Sequence, residues 1–287
     1  MFGVIMSVGP DERDVARMHD TLGMLAEHED PDRAHLVVID DGSAARDLNP
    51  GWPHQRVLRT SIRRHRRRID PCSAQVAATL EGLVDCRDHG VELALKLDTD
   101  AAVIGPFAEN LAAVMQDPAL GAVGSYDRTS DGNVRDWSAW DEKLARSGRA
   151  WQRTQCGGGR QVLWYKSRAD RRAVTRLRTA AARHAPAGAH CLGGAYAVSR
   201  RFLDRAELSW RTWVGVGLGE DVVVGILCGA ASLRMRSLVG PGEPFALAWR
   251  GLPGTPAEIA AAGHSIVHSV KAPTLQDERQ LRAQLGA

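Results

Sequence analysis

The feature that most constrains the fold is the run Leu36-Val37-Val38-Ile39, four apolar residues without a polar break, which closes on Asp40-Asp41-Gly42-Ser43. A strand with one wet face alternates apolar and polar residues, whereas an unbroken run is buried on both faces, as in a parallel sheet covered by helices. Ahead of it, Phe2 to Val8 is apolar and β-prone. Between the two, Val15, Met18, Leu22 and Leu25 recur at helical spacing within Asp11 to Glu29. Strand, helix, strand opens an α/β fold with a mainly parallel sheet flanked by helices.

The pattern continues. A short strand is expected around Arg56 to Thr60, then a helix from Ser73 to Cys86 with Val76, Leu80, Leu83 and Val84 on one face and Gly90 closing it. Val91, Leu93, Leu95 and Leu97 alternate with Glu92, Ala94 and Lys96, a period-2 strand that runs into Asp98-Thr99-Asp100. A helix over Phe107 to Met115 and a strand over Leu120 to Ser125 follow. From Asp127 to about Ala185 the alternation lapses into polar sequence carrying Trp137, Trp140, Trp151, Trp164 and Tyr165, then a basic amphipathic helix. Regular structure resumes with a strand at Ala195 to Ser199, a helix near Glu220 to Ala231, a strand at Leu233 to Val239 and a C-terminal helix. At 287 residues this is one continuous domain, with a first half at 1–126 and a second at 127–287.

With 44% hydrophobic and 25% charged residues the chain is ordinary globular protein, which excludes large-scale disorder. Its net charge is +3, unevenly placed: Arg63 to Arg68 carries +5 and Lys166 to Arg183 carries +6, leaving −8 elsewhere. Such asymmetry suggests an anionic partner near the basic segments, or a solvated helix face. The nearly uncharged stretch Val222 to Leu233 is too short to cross a bilayer, so no transmembrane segment and a cytoplasmic location are expected. Cys72, Cys86, Cys156, Cys191 and Cys228 are scattered singly, a spacing that reads as reduced thiols.

The chemistry gathers at strand ends. Asp98 and Asp100 follow a buried strand, and residues two apart on an extended chain point the same way, so both carboxylates can meet one hard cation, Mn2+ or Mg2+. The same D-x-D spacing at Asp30-Pro31-Asp32 lies in a turn, so position after a buried strand is what distinguishes the first. A divalent ion held there stabilises negative charge building on a departing diphosphate.

The N-terminal strand, the Val37 to Ser43 run and Leu97-Asp98-Thr99-Asp100 resemble the nucleotide-binding half of GT-A glycosyltransferases, particularly the large inverting family 2. The resemblance implies a GT-A, Rossmann-like fold and a UDP- or GDP-sugar donor bound mainly by 1–126. It places Asp41 at the nucleotide, Asp98 at the ribose or metal, and Asp100 at the metal. Trp213 to Asp221 is similar to the Trp- and Gly-rich stretch ending in Glu-Asp of β-1,4-galactosyltransferases. That similarity makes Asp221 the general base and Glu220 a group orienting the acceptor, both at a helix start whose dipole favours the ionised carboxylate. In many GT-A enzymes a late His completes the metal shell and a nearby Lys meets the diphosphate, which points to His268 with Lys271. His264 is the other candidate, because strand alternation puts both imidazoles on one face. Within the arginine run, Arg64 is the candidate for the diphosphate pocket. Val222-Val223-Val224 departs from the aromatic or basic residues that usually follow the Glu-Asp, and the middle segment matches no known acceptor site.

The implied reaction moves a sugar to a small-molecule or glycan hydroxyl, with inversion. A sugar-nucleotide-forming enzyme needs an early Gly-rich basic phosphate loop, which Ser7 to Asp11 lacks. A nucleic-acid-binding protein leaves the acidic and Gly-rich motifs unexplained at so low a net charge, and no nucleic-acid partner is expected. An inactive sugar-binding relative is disfavoured by intact Asp100 and Asp221.

Overall fold

The computed structural model describes residues 1–41, 48–60, 71–138, 140, 151–153, 160–162 and 167–286. Arg64 and the rest of the 61–70 run, Gly42, Ser43, Cys156, Trp164, Tyr165 and Lys166 lie outside them. The strands are β1 (Phe2–Val8), β2 (Ala34–Asp40), β3 (Gln55–Arg59), β4 (Leu93–Leu97), β5 (Ala102–Val103) and β6 (Leu120–Gly124), a short hairpin of β7 (Trp151–Arg153) and β8 (Arg160–Val162), and then β9 (Ala195–Ser199), β10 (Arg234–Ser237), β11 (Phe245–Leu247) and β12 (Ile266–His268). The helices used below are α1 (Glu12–His28), α2 (Pro71–Asp88), α3 (Ala108–Val114), α4 (Arg168–Ala181), α5 (Arg200–Arg205), α6 (Trp210–Trp213), α7 (Glu220–Ala230), α8 (Pro256–Ala261) and α9 (Leu275–Leu285).

The main sheet has seven strands in the order β10-β6-β9-β4-β1-β2-β3. Neighbours run parallel except at β9, which is antiparallel to both β4 and β6. This is the mixed, mainly parallel α/β architecture expected. The second half of the chain contributes β9 and β10, so both halves share one sheet.

Both faces of the sheet are dry at its centre, which is why β1, β2 and β4 lack polar alternation. On one face Ile5, Val37 and Ile39 pack with Val76, Leu80 and Leu83 of α2. On the other, Val4, Met6, Val8, Leu36 and Val38 pack with Met18, Leu22 and Leu25 of α1. Asp11 caps α1 by accepting from the Arg13 backbone N–H, and Gly90 leaves α2 at a φ of +71° that only glycine adopts without strain. Asp30 caps the one-turn 3-10 segment Pro31–Arg33 that contains Asp32, its carboxylate spent on the Asp32 N–H.

Three expectations need correction. All five residues of β4 are buried, so the alternation that promised a polar face was misleading and Lys96 is an interior residue. Asp98-Thr99-Asp100 is a turn, not extended chain; the Ala101 N–H closes it onto the Asp98 carbonyl at 3.1 Å. Cys72 is disulfide-bonded, while Cys86, Cys191 and Cys228 are free and buried, because separation along the chain says little about distance in a folded sheet. Of the two readings of the basic segment at 166–183, α4 fits the solvated face: Val174, Leu177 and Ala181 face the core while Arg168, Arg171, Arg172 and Arg176 are exposed. That half of the positive charge is a solvated helix face. Among the described residues no helix is long and apolar enough to cross a membrane.

A second sheet, β11-β12-β5, lies beside the carboxyl ends of the main strands. β5 leaves the Asp98–Asp100 turn directly, and β12 pairs with it antiparallel, Ile266 to Val103 and Val267 to Ala102. The next residues of β12 are thereby carried back toward the turn, and the Val270 N–H donates to the Asp100 carbonyl at 2.8 Å.

Gly82 shows how closely α2 sits on the sheet. A Cβ there would stand 2.5 Å from Ile5 Cγ2 and 3.0 Å from Ile39 Cδ1. Gly→Ala in an exposed helix gains about 1 kcal/mol of propensity, whereas overpacking a core costs about 1–3 kcal/mol. Gly82→Ala is therefore expected to lower the urea midpoint; an unchanged or higher midpoint would show that helix and sheet separate freely.

Candidate active site

The Asp98–Asp100 turn is braced from behind. Thr21 Oγ1 of α1 sits 2.8 Å from the Thr99 carbonyl and 2.9 Å from that of Ala101. Arg282 of α9 donates to the same two oxygens at 3.1 and 2.6 Å. With its carbonyls occupied on that side, the turn presents its carboxylates to the opposite one. There they meet a cavity of about 320 Å³ at the carboxyl end of the parallel strands, where ligands of open α/β sheets bind.

Asp100 is buried and surrounded by donors. Ser269 Oγ donates to its Oδ2 at 2.5 Å, Lys271 Nζ stands 3.1 Å away and His268 Nε2 3.2 Å. Burial alone would raise its pKa. The His268 imidazole, the Lys271 ammonium and the Ser269 hydroxyl outweigh that and hold the carboxyl far below the usual range. Asp98 is more open, with its Oδ2 3.6 Å from His268 Nε2.

The cluster Asp98, Asp100 and His268 brings one nitrogen and two carboxylates within 4.8 Å of one another. His268 Nε2 is buried and stands between the two carboxylates, 3.2 Å from Asp100 Oδ2 and 3.6 Å from Asp98 Oδ2. Its ring lies over Gly194, where a Cβ would come within 2.2 Å of Nδ1. Two carboxylates and an imidazole suit Mn2+ or Mg2+. His264 stands apart, because β12 begins only at Ile266 and its Nδ1 is engaged with the Glu243 carbonyl at 2.8 Å.

A second group, His35, Asp85 and His89, lies at the other end of the sheet, where β2 begins. The imidazoles of His35 and His89 stack face to face, 4.1 Å between centroids and 20° between planes. Imidazole lone pairs lie in the ring plane, so nearly parallel stacked rings cannot both aim at one ion. His35 Nε2 instead pairs with Asp85 at 2.7 Å.

Facing the cluster, Glu220 and Asp221 open α7, whose cap residue Gly219 offers no side chain. The helix dipole was expected to keep both ionised. Burial wins instead: it pushes Glu220 up to about 7 even against the Lys96 ammonium, and the charges of Asp221 and Asp98 add to the rise. Asp221 is raised for the same first reason.

Lys96 links the two walls. Its buried Nζ donates to Asp98 Oδ1 at 2.5 Å and to the Gly193 carbonyl, and stands 3.2 Å from Glu220 Oε1. Burial disfavours the ammonium, but Asp98 and Glu220 together reverse that and raise its pKa. Gly193 makes the arrangement possible, since a Cβ there would stand 2.7 Å from Glu220 Oε1.

The two acidic neighbours face different surroundings. Glu220 lines the cavity together with Asp98, Asp100 and Lys271. Asp221 accepts from the Val222 N–H at 2.8 Å, and its Oδ2 is 3.4 Å from His190 Nε2. His190 is packed edge-on by Trp137 and Trp140, and its Nδ1 donates to the Gly188 carbonyl at 2.6 Å. Arg135 donates to His190 Nε2 at 2.8 Å and also holds the Ser125 and His190 carbonyls, each at 2.6 Å. Burial lowers the Arg135 pKa to about 10.

Of the other expected residues, Lys271 lines the cavity, half exposed. Asp41 is buried at the end of β2, its N–H donating to the Val8 carbonyl at 3.0 Å, and is not among the described residues lining the cavity. Arg64 lies outside the described residues. Sequence reasoning missed Lys96, Gly193, Gly194, Ser269, Thr21 and Arg282. A lysine inside an otherwise apolar strand and a Gly-Gly pair just before another strand were the available signals.

No protein-family model matches the chain, and no curated protein does. Similar solved structures include the mannosyltransferase PcManGT from Pyrobaculum calidifontis in complex with GDP-Man and Mn2+, at 17% identity over 82% of this chain and 54% of that one, TM-score 0.40. The bifunctional glycosyltransferase WbbM matches at 12% identity over 98% and 49%, TM-score 0.49. S. aureus TarS 1-349 in complex with UDP matches at 14% over 83% and 57%, TM-score 0.42. The chain spans about half the length of these structures. Likeness of this degree assigns no activity, which has to come from the side chains.

The raised pKa of Glu220 fixes a sign. Between the ordinary value of 4.5 and about 7 the folded protein keeps a proton that the unfolded chain has released, so this group's contribution to stability falls as pH rises through that window. Glu220→Gln lacks the effect. In EDTA, its stability relative to the parent is expected to improve as pH rises from 4.5 to 7, by at most about 1.4 kcal/mol per pH unit. Chemical denaturation at several pH values measures it, and a flat difference would contradict it.

Proposed function

We propose that the chain is a metal-dependent glycosyltransferase that moves a sugar from a UDP- or GDP-sugar to a hydroxyl of a small-molecule or glycan acceptor, with inversion. The observation that carries this reading is one cavity lined by Asp98, Asp100, Lys271 and Glu220, with His268 clustered on the two aspartates and Asp221 next to Glu220 at the start of α7.

Asp98, Asp100 and His268 would hold Mn2+ or Mg2+, which supplies Lewis-acid stabilisation of the diphosphate's growing charge. Lys271, exposed and 3.1 Å from Asp100, adds a positive charge for the same phosphates. Asp41 at the end of β2 serves the nucleotide, and residues 1–126 form most of the donor half. Residues 127–287 supply the acceptor side, where Trp137 and Trp140 pack around His190.

Asp221 takes the proton of the acceptor hydroxyl as its oxygen attacks the anomeric carbon, and the bond to the diphosphate oxygen breaks on the opposite face. The raised pKa of Asp221 suits it to accept that proton. His190 and Arg135 hold the surroundings of its carboxylate in place.

Release of UDP or GDP from a panel of nucleotide sugars with Mn2+, scored with and without candidate acceptors, tests the reading. Asp221→Asn is expected to lower turnover by roughly 10²-fold or more while donor affinity stays nearly constant. Near-normal turnover in that variant would move the base elsewhere, and a product of retained configuration would remove the need for one.

A further inference from the structure

The division of labour between Glu220 and Asp221 goes further than that reading, on which it rests. We propose that Glu220 is the specificity-determining residue for the donor sugar, accepting a hydrogen bond from a hydroxyl of the ring being transferred, and that of the pair Asp221 alone serves the acceptor.

Successive residues on a helix project about 100° apart, so two neighbours at a helix start need not share a substrate. Here both carboxylates come close to Gly193, but their other neighbours differ. Glu220 lines the cavity beside Asp98 and Lys271, whereas Asp221 is absent from that lining and stands against His190 in the Trp137–Trp140 cluster. The Lys96 ammonium, in contact with Asp98 and Glu220 at once, sets the Glu220 carboxylate one group away from the metal-side carboxylate.

A glycosyl diphosphate with its phosphates at the Asp98–Asp100–Lys271 wall must put its pyranose ring directly beside them, because the anomeric carbon is bonded to a phosphate oxygen. The hydroxyls of that ring then need buried partners. Gly193 and Gly194 contribute no side chains on that floor, and a Cβ at either would strike Glu220 or His268. Glu220, 8% exposed and fixed by Lys96, is the acceptor of hydrogen bonds placed to meet them. A buried carboxylate selects by position, because a ring whose hydroxyl points elsewhere leaves it unpaired.

Calorimetric titration of wild type, Glu220→Gln and Glu220→Asp with UDP, GDP, UDP-glucose, UDP-galactose, UDP-N-acetylglucosamine and GDP-mannose, in the presence of Mn2+, tests this. Both Glu220 variants are expected to keep diphosphate affinity within about twofold. They should weaken the preferred nucleotide sugar by about tenfold or more and blunt discrimination between epimers. Acceptor KM should stay unchanged. Retained sugar affinity and epimer preference in both variants, or a rise confined to acceptor KM, overturns the assignment. Diphosphate binding reports folding, and Glu220→Asp, which keeps the charge beside Lys96, carries the test if the Gln variant loses it. Failure of the wild type to bind either diphosphate contradicts instead the glycosyl-transfer reading.

Discussion

The carbonyls of Thr99 and Ala101 are each held from two helices, by Thr21 of α1 and Arg282 of α9, and that cross-bracing decides which way the acidic turn faces. A turn of three residues at a strand end has little stiffness of its own. Buried carbonyls without partners would cost about 1–3 kcal/mol each, so the braced orientation is the one the chain keeps. α9 is itself pinned, since its buried Glu278 receives Arg17 in a two-point contact and Arg13 beside it. The end of the chain is thus part of the site without contributing a ligand to it.

Charge follows from that geometry. The residues lining the cavity include four carboxylates, Asp14, Asp98, Asp100 and Glu220, and three cations, Arg17, Lys96 and Lys271. The donors are unevenly shared. Asp100 has three polar neighbours and its pKa falls, whereas Glu220 shares one lysine with Asp98 and its pKa rises to about 7. A divalent cation at Asp98, Asp100 and His268 would sit among these coupled charges, which ties the proposed metal to the electrostatics of the whole site and not to three ligands alone.

The sheet was legible because it depends on local pattern. Runs such as Leu36–Ile39 report burial on both faces directly, and Asp98 and Asp100 were found because they follow such a strand. What the sequence hid depends on distant partners. Thr21 lies 78 residues from Thr99, and Arg282 183 residues from it, so no local spacing announces the brace. Lys96 looked like the polar side of an alternating strand, and only the antiparallel β9 laid against β4 makes its position interior. The ionisation of Glu220 was misjudged for a similar reason, since the helix dipole is a local effect and burial is not. His264 and His268 were indistinguishable by alternation and separate only where β12 starts.

The central claim is that Asp98, Asp100 and His268 form one divalent-cation site for a nucleoside diphosphate. Mn2+ titration followed by electron paramagnetic resonance, with UDP or GDP present, reads it directly. Stoichiometric loss of the free-ion signal is predicted for the wild type and not for Asp100→Ala, with EDTA abolishing diphosphate binding in parallel calorimetry. Equal diphosphate affinity with and without EDTA, or unaltered Mn2+ uptake in Asp100→Ala, would contradict the account.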